Sequence, residues 1–243
     1  ASCLVGSEMC IRDSYYSSYD NHSRASKVIG YQIEKSKEYY EQLWRNIVTV
    51  KIQNQSKAYF RLTNDLEGTR MIEEFSTGIM NGDKSNREAH AAKVYFNLLM
   101  GTSFSRGNED ILLNSGLDYG YAVLRGYIAR VCVGYGLNTQ IGIHHKNEYN
   151  RFNLVDDLME PLRPLIDIVA YEVMKNEPYF TAEHRRQLVN VLNMKILYRN
   201  KKMFVCNMIE NYVEQYASFI MERCENIVFP DIDEFVGEEL DGL

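Results

Sequence analysis

No apolar run in the sequence approaches the roughly 18 residues that a membrane-spanning helix needs. Nor does the start show the basic-then-apolar order of a secretory signal. Both absences lead us to expect a soluble chain with no membrane partner, and the cytoplasm as its compartment. Cysteine is sparse and scattered (Cys3, Cys10, Cys132, Cys206 and Cys224), odd in number and without a C-x-x-C pair. That pattern argues against a disulfide framework and against a thiolate zinc site. An excess of basic charge is missing too, since 27 Lys and Arg face 33 Asp and Glu for a net charge of −6. Such a balance does not advertise nucleic-acid binding. Six of the acids, Asp231, Asp233, Glu234, Glu238, Glu239 and Asp241, lie together at the end with no base among them. The remaining body is neutral and can still carry a basic face. Internal repeats and low-complexity tracts are absent, and strand signals are thin: VIGYQI and QIGIHH are too short to build a sheet.

What is present is helical periodicity. Residues 1–14 (ASCLVGSEMCIRDS) have no clear period and are expected to be non-native adaptor sequence or disordered. Residues 15–27, rich in Ser, Tyr, Asn and Asp, read as loop. From there to Phe229 the pattern predicts a multi-helix, all-α unit, so that residues 15–229 form one domain and 230–243 an acidic tail. Ser36 can cap a long helix in which Tyr40, Leu43, Trp44, Ile47, Val50 and Lys51 recur at three- and four-residue steps. Further helices are predicted from near Ser85 to Met100, ended by Gly101, and over Leu112 to Tyr135 and Leu154 to Lys175. Two more fall within Thr181–Arg199 and Met203–Asn226. Proline occurs only four times, and Pro161 and Pro164 should bend the helix that contains them.

Two places concentrate chemistry. Glu88, taken alone, reads first as the end of a capping box, Ser85-Asn86-Arg87-Glu88, in which its carboxylate returns to the serine N–H. Asp83 offers an earlier cap, which would free that carboxylate to face a cleft. The second place is GIHHKNEYNRFNLVDDLMEPLRP, residues 142–164. His144 and His145 precede a polar loop, and Asp156, Asp157 and Glu160 open the next helix at spacings that share a face. Acids in a first turn also stabilise a helix simply by facing its dipole. Three carboxylates beside a histidine doublet nonetheless suit a hard or borderline divalent ion, Mg2+ or Mn2+. A basic run (Arg185, Arg186, Lys195, Arg199, Lys201, Lys202) reads as a solvated helix face, or as a phosphate-contacting surface if it flanks the cleft.

These stretches, SNREAHAAKVYFNLLMGTSFSR above all together with G-I-H-H and NLVDDLMEPLRP, resemble the CRISPR-associated spacer-acquisition integrases. The closest likeness is to the form from systems with a single large effector nuclease. The resemblance spans residues 31–220. It implies a metal-dependent DNA endonuclease and integrase of antiviral defence, with Glu88, His145 and Glu160 as catalytic metal ligands and Asp157 as an accessory acid. His144 and Asp156 have no assigned role. It implies double-stranded DNA as partner, with Arg87, Arg106, Arg151 and Arg163 as candidate DNA contacts from their proximity to the site. It also implies a homodimer joined to a small ferredoxin-like partner. The family carries an N-terminal β-domain that is not found here, so the chain is expected to be a truncated form, limited to the helical catalytic lobe. Two other readings stand beside it. One is a His-Asp-type metal phosphohydrolase, and the other is a non-catalytic helical scaffold whose acids only cap helices.

Overall fold

The computed structural model describes residues 24–106, 108, 111–175 and 177–236. The stretch 1–14 and the end of the acidic tail lie outside the described residues. Ten residues, Ala25–Glu34, form α1. This helix contains the VIGYQI segment, whose alternation suggested a short strand. Its Gln32 takes the Asn138 N–H on its carbonyl at 2.8 Å and returns its amide to the Asn138 carbonyl at 3.2 Å. A buried amide satisfied across the fold explains the polar residue within that run.

The organising element is α2 (Lys37–Thr63), 27 residues and about 40 Å long. The Ser36 hydroxyl caps it by accepting the Tyr39 N–H at 3.1 Å, and Asn64 closes it in the left-handed region. Tyr40, Leu43, Trp44 and Ile47 are buried as their spacing predicts, and Val48 and Ile52 rather than Val50 complete the stripe. The burial continues round to Lys51, Asn54 and Gln55. A helix sunk on several faces is a central one. Asn54 donates to the carbonyls of Pro161 (2.8 Å) and Pro230 (2.9 Å) and accepts the Ile232 N–H at 3.4 Å. One side chain thereby ties together three distant segments.

Around α2 pack α3 (Leu66–Glu73) and α4 (Arg87–Met100), the latter ended by Gly101 as predicted. The predicted third helix is α5 (Leu112–Gly134). The segment predicted as one bent helix is α6 (Asn153–Met159), a 3₁₀ turn (Glu160–Leu162) and α7 (Arg163–Met174). Pro161 and Pro164 cannot donate to the ladder, so the chain tightens at Glu160 and restarts. Helices α5 and α7 approach closely at Gly120, where a Cβ would stand 2.4 Å from Ile166 Cγ2. Gly120 therefore sets the distance between these two helices.

The C-terminal third departs from the prediction in detail. Helix α8 (Ala182–Asn190) is capped by Thr181 and followed by a 3₁₀ turn. Next come β1 (Lys195–Tyr198) and β2 (Lys201–Phe204), an antiparallel hairpin, and then α9 (Val205–Ile220). Arg199 and Asn200 both have positive φ, 52° and 60°, the mark of a type I′ hairpin turn. β3 (Phe235–Val236) pairs antiparallel with β1, giving the order β2-β1-β3. The basic residues 195–202 therefore lie on a hairpin rather than a helix face. This small sheet does not change the class, which is a helical bundle around one hydrophobic core. Residues 231–235 fold back onto the body, with Ile232 and Phe235 buried and Lys57 paired to Asp231 and Asp233. Among the described residues no helix is long and apolar enough to cross a membrane.

Candidate active site

The Asp83 carboxylate caps α4 by accepting the N–H groups of Arg87 and Glu88, each at 2.9 Å. The capping box from Ser85 is not used, and the Glu88 side chain is free to face inward. There it accepts Lys51 Nζ at 2.6 Å. The same ammonium lies 2.5 Å from Glu160 Oε2. Lys51 and Glu160 have only 7% and 4% of their side chains exposed, so this is a buried cluster. Burial alone would pull the Lys51 pKa down, but the charges of Glu160 and Glu88 more than reverse it. For Glu160 burial acts upward, and the attraction of Lys51 and then Arg163 outweighs it, leaving the acid below its ordinary range. Both shifts favour the charged forms of Lys51 and Glu160. The 3₁₀ turn at residues 160–162 aims Glu160 into the cluster, and Arg163 Nε, three residues on, holds Oε1 at 2.9 Å. Glu160 Oε2 touches Lys51 only as an ion contact outside hydrogen-bond angles and has no other partner among the described residues.

His145 enters from the G-I-H-H loop. Gly142 permits this loop, because a Cβ there would fall 2.2 Å from the His145 carbonyl oxygen and 2.9 Å from Asp157 Oδ2. The curled backbone points the N–H groups of Ile143 (2.6 Å), His144 (2.9 Å) and His145 (3.3 Å) at the fully buried Asp157 carboxylate. Asp157 also holds His145 Nδ1 at 2.6 Å. With Asp157 as acceptor the proton sits on Nδ1, so the neutral ring presents its lone pair at Nε2. The hydrogen bond to Asp157 raises the His145 pKa, and the charges of Glu160 and Glu88 add to the effect. Burial pushes Asp157 itself upward against the donors around it. His144 turns away and lies flat on the Trp44 indole, with centroids 4.4 Å apart and planes 5° apart, while His145 meets the same indole edge-on at 5.7 Å.

Beside His145 a cavity of about 300 Å³ opens, lined by Asp118, Tyr121, Arg125, Asp156 and Arg163 among others. Tyr121, on its lining, donates its hydroxyl to the buried Asp167. Burial drives Asp167 up to about 6.

The sequence model for the family described as CRISPR associated protein Cas1 matches residues 11–200. A CRISPR-associated endonuclease Cas1 of Neisseria meningitidis serogroup C is 31% identical over 236 residues, covering 96% of this chain and 77% of that protein. The chain belongs to the Cas1 family. Its fold agrees with that of a casposase bound to integration product, with a TM-score of 0.68 at 18% identity over 86% of this chain and 72% of that one. It agrees equally with a chain of a Cas6-RT-Cas1–Cas2 complex (TM-score 0.67, 16% identity, 81% of this chain and 26% of that one). Like its family, the chain is an enzyme of the endonuclease and integrase class, and neither the phosphohydrolase nor the scaffold reading is favoured.

Set against the Cas1 resemblance, the fold brings Glu88 and Glu160 to one ammonium, with His145 close enough to feel both charges. Asp157 stands behind His145 rather than beside the carboxylates. Asp156 instead holds Arg125 Nη2 at 2.7 Å and Asn150 at 2.7 Å. Among the described residues, no three His, Cys, Asp or Glu side chains form a ready metal cage as they stand, and Lys51 fills the space between the two carboxylates. The four candidate DNA arginines separate. Arg163 is in the cluster, and Arg106 reaches the same Tyr121 ring while paired to Asp118 at 2.5 Å. Arg87 turns toward the Glu74 carbonyl, and Arg151 is exposed. Sequence reasoning missed Arg125 and Trp44 as parts of the site. Lys51 carried a signal, a charge on an otherwise apolar stripe, that was legible without its meaning.

Proposed function

We propose that this chain inserts spacer DNA into a CRISPR array by transesterification, using Glu88, His145 and Glu160. Lys51 carries the reading: one buried ammonium shared by two carboxylates, beside a histidine with a free Nε2, marks a place built for positive charge. Two carboxylates gathered on one cation beside an imidazole are a mixed oxygen and nitrogen donor set that fits Mg2+ or Mn2+. Glu88, Glu160 and His145 Nε2 would hold the ion. The chemistry supplied when it is bound is polarisation of phosphoryl oxygens and a lowered pKa for an attacking hydroxyl.

The residues around it do the positioning. Asp157 keeps the His145 ring in one tautomer and one orientation, and Arg163 keeps Glu160 aimed inward. The reaction needs no covalent enzyme intermediate, because a 3′-hydroxyl of a short duplex attacks a phosphodiester of the repeat directly and the leaving 3′-oxygen takes the proton. We assign the catalytic unit to the helical residues 15–229, the substrate to double-stranded DNA and the compartment to the cytoplasm. The partners are a second copy of the chain and a small ferredoxin-like protein. The likeness to a casposase bound to integration product and to a Cas1–Cas2-containing complex supports the DNA and the assembly.

The test is joining of a short duplex to a repeat-containing plasmid in Mn2+ or Mg2+. Glu88→Ala and His145→Ala should each abolish it, and retained joining by either variant counts against the assignment.

A further inference from the structure

The cavity beside His145 holds a second positively charged element that the ligand assignment does not use. Arg125, from the middle of α5, lines it together with Arg163. Asn150 (3.2 Å) and Asp156 (2.7 Å) both take their bonds from Nη2 of Arg125, and the ring of Phe152 lies 4.6 Å from its Cζ. The guanidinium is therefore fixed in place while Nη1 has no protein acceptor among the described residues. Its Nε is buried without a partner as well. Arg163 repeats the pattern, since Nε goes to Glu160, Cζ sits 4.7 Å from the Tyr121 ring centroid, and neither Nη has a protein acceptor among the described residues.

Two braced guanidiniums with unused donors on one cavity wall recognise a tetrahedral oxyanion. Every acid on the wall is already engaged: Asp156 with Arg125, Asp118 with Arg106. Among the described lining residues no carboxylate is left without a cation beside it. A nucleobase fits less well, because the Tyr121 ring on the wall already carries the guanidiniums of Arg106 and Arg163.

Building on the function proposed above, we propose that Arg125 and Arg163 form a clamp for one phosphodiester of the DNA strand, next to the reacting phosphate at His145. Arg125 is a positioning residue whose donors go to substrate. Arg163 both holds substrate and braces Glu160.

The experiment is a salt titration of duplex binding by the full chain, comparing wild type with Arg125→Gln and Arg125→Lys, with calcium in place of a catalytic ion. Arg125→Gln should bind roughly tenfold more weakly. Its plot of log affinity against log salt should flatten by about 0.9, the loss of one phosphate contact. Arg125→Lys should keep the slope, since the charge remains, yet bind less tightly than wild type because the fork is gone. It also serves if the glutamine variant does not fold. An unchanged slope in Arg125→Gln, or wild-type affinity in Arg125→Lys, overturns the clamp alone. A wild-type chain that binds no duplex overturns the functional reading and the clamp together.

Discussion

Asp157 accepts the Nδ1 hydrogen of His145 at 2.6 Å while its two oxygens also take the backbone N–H groups of residues 143, 144 and 145. One buried acid thus sets both the ring and the loop that carries it. Asp157→Asn preserves the size but replaces an acceptor oxygen with a donor that opposes those N–H groups. The expected loss is about 1–3 kcal/mol of stability and roughly 10–100-fold in ion affinity or joining. Thermal melting and Mn2+ calorimetry read the two effects separately. Wild-type values in both would mean that the ring is held in some other way.

Lys51 neutralises two carboxylates at once. Lys51→Met removes the cation that Glu88 and the buried Glu160 share and leaves Arg163 as the cation on Glu160, so the variant should lose about 3–5 kcal/mol. A divalent ion should replace the missing charge. Mn2+ is therefore expected to raise the melting midpoint of Lys51→Met more than that of wild type. Equal increments in the two proteins would show that the carboxylates do not share a cation.

The pH dependence of stability has a separable part at Asp167, whose folded pKa is about 6, above its unfolded value, because of burial. Between those values the folded chain binds the extra proton, so the contribution is complete at low pH and is lost as pH rises through about 6. Asp167→Asn should remove this part and flatten the stability profile between about pH 4 and 6. The difference from wild type is up to about 3 kcal/mol across the window. Urea unfolding at stepped pH measures it, and parallel profiles would sink the assignment.

The sequence has one tryptophan, and it stacks on His144 with its edge toward His145. Its fluorescence is a reporter of the candidate site. Paramagnetic Mn2+ should quench it far more than Mg2+, and His145→Ala should weaken the quenching. Identical responses to both ions would place the bound metal elsewhere.

The helices with long apolar stripes were legible before the fold was known, because periodicity over many residues accumulates. This holds for α2, α4 and α5, and for the break at Pro161 and Pro164. The hairpin at residues 195–204 was not legible. Each strand has four residues, too few to display alternation, and β1 is completed by pairing with residues 235 and 236, far along the chain. At Glu88 the local signal misled, since Ser85 offers a cap that Asp83 supplies instead. The G-I-H-H and D-L-M-E stretches announced an unusual density of chemistry. The bridging role of Lys51 was hidden because it depends on two acids, 37 and 109 positions away, meeting one side chain.

Asn54 grips the carbonyl of Pro161, the residue immediately after Glu160, with the same amide that grips Pro230. The segment around Pro230 is thereby moored to the peptide on which the inner carboxylate sits. Loosening the tail, by a cut or a substitution near residue 230, would be felt as slack at Glu160 even though the two lie 70 positions apart.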